Sequence, residues 1–277
     1  MASYSLIDTE SMPWEENPDI PGYKRRLLHS DTKTGAIVRM GFVAPGSVPK
    51  DISLPHRHYH KSVTERAYHL FGDFPHWEFS GKNDREGELI VFRRHLFMDR
   101  PPKSIHGLKQ HPVSQAGSVI LYWNTGSGTG VAEPEAVEET VELPFKTNTR
   151  DGTNYSEARI FDSEEIPWQK HPRISTWKIR TLAESTDDIP GVHQVHIPAG
   201  WVQETDHASV CGHPLSCWLF VVSGDLQLSA TNRQLTDELN LTYGSFLNWQ
   251  AGINLGLPEK PVSLEGCIVL CVGNNLF

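Results

Sequence analysis

Apolar residues along this chain fall in short continuous or alternating runs rather than at helical spacing. Residues 37–43 (IVRMGFV), 88–98 (ELIVFRRHLFM) and 118–124 (SVILYWN) are rich in β-branched and aromatic side chains and end at turn formers. Such runs predict strands. Residues 192–198 (VHQVHIP), 216–224 (SCWLFVVSG) and 266–273 (GCIVLCVG) read the same way. Helical periodicity is weak except over 133–142, where EPEAVEETVE reads as a solvated acidic connector. The 22 glycines and 19 prolines are spread along the sequence, as many short strands joined by turns require. The pattern predicts an all-β protein.

The strand vocabulary repeats in order. Met12-Pro13-Trp14 recurs as Ile166-Pro167-Trp168, and Tyr23-Lys24 as Trp177-Lys178, both at a shift of 154 residues. Ala44-Pro45-Gly46 answers Pro198-Ala199-Gly200 at the same shift, Gly72-Asp73 answers Gly224-Asp225 at 152, and Val119-Ile120-Leu121 answers Ile268-Val269-Leu270 at 149. A collinear set with a slowly drifting shift points to two copies of one β-domain. The expected division is a first domain over 1–125, an acidic, glycine-rich linker over 126–159, and a second domain over 160–277. Length agrees, since 277 residues correspond to about two domains of ordinary size.

Composition narrows the function. With 38% apolar residues there is material for packed cores, and a net charge of −9 disfavours nucleic acid or an anionic membrane as partner. No run approaches a membrane span, and MASYSLIDTESMPWEENPD lacks the basic start and apolar stretch of a secretory signal, so a cytoplasmic location is expected. The four cysteines, Cys211, Cys217, Cys267 and Cys271, are too few for a disulfide scaffold. No phosphate-loop, dinucleotide, zincin or serine-hydrolase motif is present.

Histidine is the anomaly, with five of 14 between His56 and His76. In LPHRHYHKSVTERAYHLFGDF, His56, His58 and His60 alternate, which on a strand puts them on one face. Stacked imidazoles are costly as core filling because each ring must satisfy two nitrogens. A divalent metal removes that cost by taking one nitrogen from each ligating ring. Glu65 follows out of alternation, so a turn through 61–64 must return it inward, and Gly72-Asp73 predicts a hairpin turn. His106 lies just past the proline-stiffened Arg100-Pro101-Pro102-Lys103 segment.

The pattern His58-x-His60, four residues, Glu65, six residues, Gly72 resembles the first motif of the cupin superfamily. Residues 101–106 resemble the second motif, with Lys103 where a glycine is usual and Gln110 where an asparagine often stands, and the gap from Gly46 to His58 is longer than the family's. The resemblance implies two tandem cupin barrels of the jelly-roll, double-stranded β-helix type. It further implies metal ligands His58, His60, Glu65 and His106. A register using His56 and His58 leaves six residues before Glu65, longer than the motif, and spacing does not exclude coordination by all three. In the second half the motif positions are taken by Cys211, His213, Cys217 and Leu255, which implies a degenerate site.

The other candidates are secondary. His69 shares the inward parity of Glu65 and, with His56 at the pocket mouth, is a candidate proton carrier. Phe74, Trp77 and Phe79 alternate imperfectly as core aromatics, and one of Arg93 and Arg94 faces each side of its strand. Ligands of N and O type suit one divalent transition metal, with Fe(II) favoured and Mn, Ni, Co, Zn or Cu also compatible. The expected function is a metal-dependent, cofactor-free dioxygenase acting on a small carbonyl- or hydroxyl-containing compound. Redox-neutral isomerase, lyase or hydrolase chemistry and a non-catalytic metal or ligand sensor are the alternatives. A homodimer is compatible with exposed barrel edges.

Overall fold

The computed structural model describes residues 4–17, 22–32, 34–47, 57–79, 83–107, 114–125, 135–136, 159–186, 189–202, 208–210, 217–232, 235–250, 253–258 and 260–273. Strands dominate, and the only helical turns among the described residues are the 3-10 turns Thr9–Ser11 and Ser163–Glu165. No helix is long and apolar enough to cross a membrane.

The chain divides into two compact units, Pro13–Glu165 and Met1–Met12 together with Ile166–Phe277. This division differs from the one expected at 126–159 because two edge strands are exchanged along the sequence. Tyr4–Asp8 pairs antiparallel with Ser245–Trp249, so the first strand of the chain completes the later unit. Arg159–Asp162 pairs in the equivalent register with Leu96–Arg100 and completes the earlier one. Each exchanged strand ends at an aspartate followed by a hydroxyl residue whose backbone N–H reaches a turn carbonyl: Thr9 to Gly244, at 3.1 Å, and Ser163 to His95, at 3.0 Å. Within the expected linker, Glu135–Ala136 is a strand that pairs with His58–Tyr59.

In the earlier unit, Thr64–Glu78 is one continuous strand of 15 residues. The hairpin turn expected at Gly72-Asp73 is therefore a corner. Residues before it pair with Ser118–Thr125 and Leu96–Arg100, and residues after it pair with Glu88–Arg93 and His106–Gly107. Gly72 has φ +79°, and a Cβ there would stand 1.7 Å from the carbonyl oxygen of Gly117. Only glycine fits. The Asp73 carboxylate then accepts hydrogen bonds from the backbone N–H groups of Gln115 and Ala116 and from Ser114 Oγ.

The later unit builds the same corner. Gly224, with φ +77°, would place a Cβ 1.9 Å from the Gly266 carbonyl oxygen. Asp225 accepts from the backbone of Leu264 and Glu265 and from Ser263 Oγ. The repeated Gly-Asp pairs in the sequence are thus one mechanical device used twice. A bulge precedes each corner: the ladder skips Leu70 in one unit and Val222 in the other. A bulge shifts side-chain parity by one residue. Glu65, Ala67 and His69 before it, and Phe74, His76 and Glu78 after it, therefore face the same interior.

The aspartate lock carries a prediction about stability. Partial burial pushes Asp225 and Asp73 up, but the donors around each carboxylate bring both below the usual aspartate value. A lowered folded value means stability that is present above about pH 4 and lost as pH falls through the folded value. Asp225→Ala should lower the unfolding free energy by about 1–3 kcal/mol at pH 7. In urea melts the variant and the parent protein should converge as pH drops below about 4.

Candidate metal centre

His58 and Tyr59 form a two-residue strand, with His58 directly opposite His106. Tyr59 is buried on the far face with Phe79 and Ile105, and Trp77 packs against them. That anchor turns His58 and His60 the other way, into the barrel. Trp77 and Phe79 thus belong to this outer cluster, and of the three aromatics read as alternating only Phe74 joins the interior one.

The His60 end is held by the Pro101–Ser104 turn: the Lys103 N–H donates to the His60 carbonyl at 2.7 Å. Lys103 makes that bond with φ +72°, the left-handed region in which a side chain is strained. A glycine at this position would adopt that backbone freely. His106 Nδ1 bonds the Ser104 carbonyl at 3.0 Å. The carbonyl can only accept, so Nδ1 carries the proton and Nε2 presents its lone pair inward.

These constraints bring three ligand atoms, one each from His58, His60 and His106, within 4.8 Å of one another. Glu65 joins them, with Oε2 3.3 Å from His106 Nε2. Its carboxylate is gripped by Arg100, whose Nη1 donates to the same oxygen at 2.5 Å. Arg100 stands directly opposite Glu65 in the ladder and is 3% exposed. Its Nε donates to Glu78 Oε2 at 3.1 Å and its Nη2 to Glu78 Oε1. His76 Nδ1 lies 3.2 Å from Glu78 Oε1, and the His76 ring stacks on Phe92 and sits 5.6 Å from that of His106.

Electrostatics follow from this packing. Burial would raise Glu65, but Arg100, with His60 and His58, outweighs it and brings the carboxyl down to about 2. Glu78 is likewise buried, and Arg100 and His76 hold it below its ordinary value. Burial, then Arg100, drives His106 well below the imidazole range, so it is neutral. The buried cluster therefore carries two carboxylates against one guanidinium and has a negative balance. His60 Nδ1 is buried without a hydrogen-bond partner. A negative, nitrogen-lined cluster with an orphaned imidazole nitrogen suits a divalent cation. The residues present fit a metal.

Arg100, Glu78 and His76 were not legible as site residues in the sequence. His56 lies outside the described residues. His69 faces the interior, as its parity predicts, but the structure brings it to Ser118 Oγ, at 2.9 Å, about 13 Å along the strand from Glu65. Arg93 and Arg94 are both exposed.

The equivalent positions of the later unit are apolar. Cys217 faces Trp249 where Glu65 faces Arg100, and Leu255 faces Ala230 where His106 faces Glu78. Leu228 takes the place of His76. Cys217, Leu228, Ala230, Trp249 and Leu255 all pack in one buried cluster. Cys217 is disulfide-bonded, which withdraws its sulfur from the ligand set considered for this half, and Cys211 and His213 lie outside the described residues.

No family model and no curated protein matches the sequence. Solved structures do match over nearly the whole chain. HEPD of Streptomyces albus, bound to 2-hydroxyethylphosphonate and Fe(II), shares 10% identity at a TM-score of 0.65, covering 98% of this chain and 75% of that one. Oxalate decarboxylase of Lactobacillus farciminis, in a formate complex, shares 12% at 0.59, covering 98% and 86%. Vicilin of hazelnut, Corylus avellana, shares 10% at 0.60, covering 97% and 84%. The fold is that of the cupin superfamily. Two cupin barrels follow one another in the chain, the earlier with a polar interior and the later with an apolar one. The range of names among these structures shows that the cupin fold by itself does not select a reaction.

Two measurements test the interior of the first cupin barrel. Arg100→Met strands two buried carboxylates and should cost about 3–5 kcal/mol in urea unfolding. Adding Glu65→Gln and Glu78→Gln to that variant should recover a large part of the loss. Separately, burial lowers His69 to about 4. A lowered histidine is neutral in the folded state while the unfolded chain takes up a proton below about 6.5. Stability should therefore be full above pH 6.5 and fall by up to about 1.4 kcal/mol per pH unit toward pH 4. His69→Gln should remove that part of the slope.

Proposed function

We propose that this chain is a metal-dependent enzyme that binds one divalent transition metal in its first barrel, through His58, His60, Glu65 and His106, and acts as an Fe(II) dioxygenase on a small carbonyl- or hydroxyl-containing compound. The observation that carries the reading is the convergence of three imidazole ligand atoms within 4.8 Å, with Glu65 Oε2 3.3 Å from one of them. The Fe(II) named with the Streptomyces albus structure favours iron. When bound, the ion supplies Lewis acidity and, as Fe(II), one-electron reactivity toward dioxygen.

The chain's own residues supply the rest. The Ser104 carbonyl fixes the tautomer of His106. Arg100 keeps Glu65 ionised and holds its carboxylate in one orientation beside His106. His76 and Glu78, bonded to each other one ring away from His106, can hold or release a proton in the interior. This pair stands nearer the trio than His69 and takes over the proton-carrying role expected of it. Phe74 and Phe92 flank His76 and limit the access of water.

The test begins with metal-free protein. Titration with Fe(II), Mn(II) and Zn(II) should load one ion per chain, and His106→Ala should weaken binding by at least 10- to 100-fold. With Fe(II) loaded, oxygen consumption over a panel of small hydroxy and carbonyl acids should require iron and vanish in Glu65→Ala. Turnover under strict anaerobiosis would show redox-neutral chemistry instead. Two ions per chain, or full loading in the His58→Ala/His60→Ala variant, would sink the ligand assignment.

A further inference from the structure

The inner face of the first barrel carries a second polar group beside Glu65. On Ser118–Thr125, Asn124 faces Glu65, and Tyr122 is one step along the same face, opposite Ala67. Such diagonal neighbours lie about 7–8 Å apart across a sheet. Tyr122 also faces Arg39 on Ala36–Val43, and Gly41, two residues on, faces Arg25 on Tyr23–Asp31. Val43 belongs to the interior cluster and Tyr23 and Tyr122 pack against it, which sets the inward parity of Arg39 and Gly41.

Gly41 is a cradle. A Cβ there would stand 2.0 Å from the Tyr23 hydroxyl and 3.3 Å from the Tyr122 ring. The missing side chain is what lets the Tyr23 phenol lie across the strand to meet Tyr122. The two hydroxyls share a hydrogen bond, and Arg39 donates to the Tyr122 oxygen. A phenol oxygen that accepts from both has its own hydrogen left to give. Among the described residues neither Arg39 nor Arg25 forms an ion pair. Glu15 lies opposite Arg25 in the ladder without pairing with it. Glu65 is held by Arg100, which it shares with Glu78. The result is an inner face with spare donors and with Arg39 outside any ion pair among the described residues.

We propose that this face binds the oxyanion group, carboxylate or phosphonate, of a small organic acid, with Arg39 and the Tyr122 hydroxyl as the contacting groups, Tyr23 as the residue that positions Tyr122, and Arg25 adding positive field. The proposal deepens the reading of the neighbouring histidines as a metal centre and rests on it for the placement of the substrate's reacting end. A guanidinium offers an oxyanion a fork of N–H donors that a neutral group cannot use as well. The site therefore selects acids over their amides.

The test is calorimetric titration of the metal-free and the Fe(II)-loaded full chain with acetate, methylphosphonate and the neutral acetamide. Either anion should bind at least 10-fold more tightly than acetamide, and the tighter of the two identifies the acid class. Arg39→Gln should erase that preference, Arg39→Lys should keep part of it, and Tyr122→Phe should weaken anion binding several-fold. Metal content should be unchanged in all three variants. Gly41→Ala should also weaken anion binding, by displacing the Tyr23 phenol. Acetate and acetamide binding alike, or Arg39→Gln binding acetate as the parent does, would overturn the proposal. Failure of the chain to load metal would instead remove the metal-centre reading, while the metal-free titration would still decide the anion site.

Discussion

The polar interior of the first barrel depends on one buried guanidinium. Arg100 meets Glu78 through two donors and Glu65 through a third, so neither carboxylate is left to face an apolar wall. Without it, two buried negative charges would need protons, and a protonated Glu65 could not serve as a strong acceptor beside His106. With it, both acids stay ionised and Glu65 is confined to one orientation. The arrangement is not a neutral triad, because one positive charge stands against two negative. That deficit, beside the imidazole ligand atoms of His58, His60 and His106, is what a divalent cation would balance. Such a cluster is weak as a source of stability and strong as a means of fixing where charge lies.

How this was legible varies by element. The strands could be read from their β-branched runs, and His58 and His60 from their alternation, because both depend on local spacing that the pleat enforces. Asp73 and Asp225 were visible as a repeat, although their function as locks on a neighbouring loop required tertiary contacts. The long strand hid most. Its bulge at Leu70 changes parity between Glu65 and His76, so one alternation rule cannot read both ends, and His76 and Glu78 were passed over in favour of Trp77 and Phe79. Arg100 was hidden for another reason. An arginine at the end of a strand before two prolines is ordinarily solvated, and only the facing Glu65 and nearby Glu78 make it a core residue. The exchanged edge strands were too short for any periodic signal.

The chain also contains its own control. Positions that agree between its two barrels are those the fold needs: the left-handed corners Gly72 and Gly224, their aspartates, and the bulges before them. To these can be added Arg26 over the Trp14 ring and Arg180 over that of Trp168, at 3.9 and 4.0 Å. Positions that differ are those the fold can do without. Where the first barrel has Glu65, His76, Glu78, Arg100 and His106, the second has Cys217, Leu228, Ala230, Trp249 and Leu255, and it closes on an apolar core with the same ladder register. A barrel of this kind therefore does not need an ion cluster to fold. Keeping one costs desolvation that an indole at the Trp249 position avoids. The polar set in the first barrel is thus held against the preference of the architecture. That makes chemistry, rather than packing, the physical reason for five ionisable side chains facing one another in its interior.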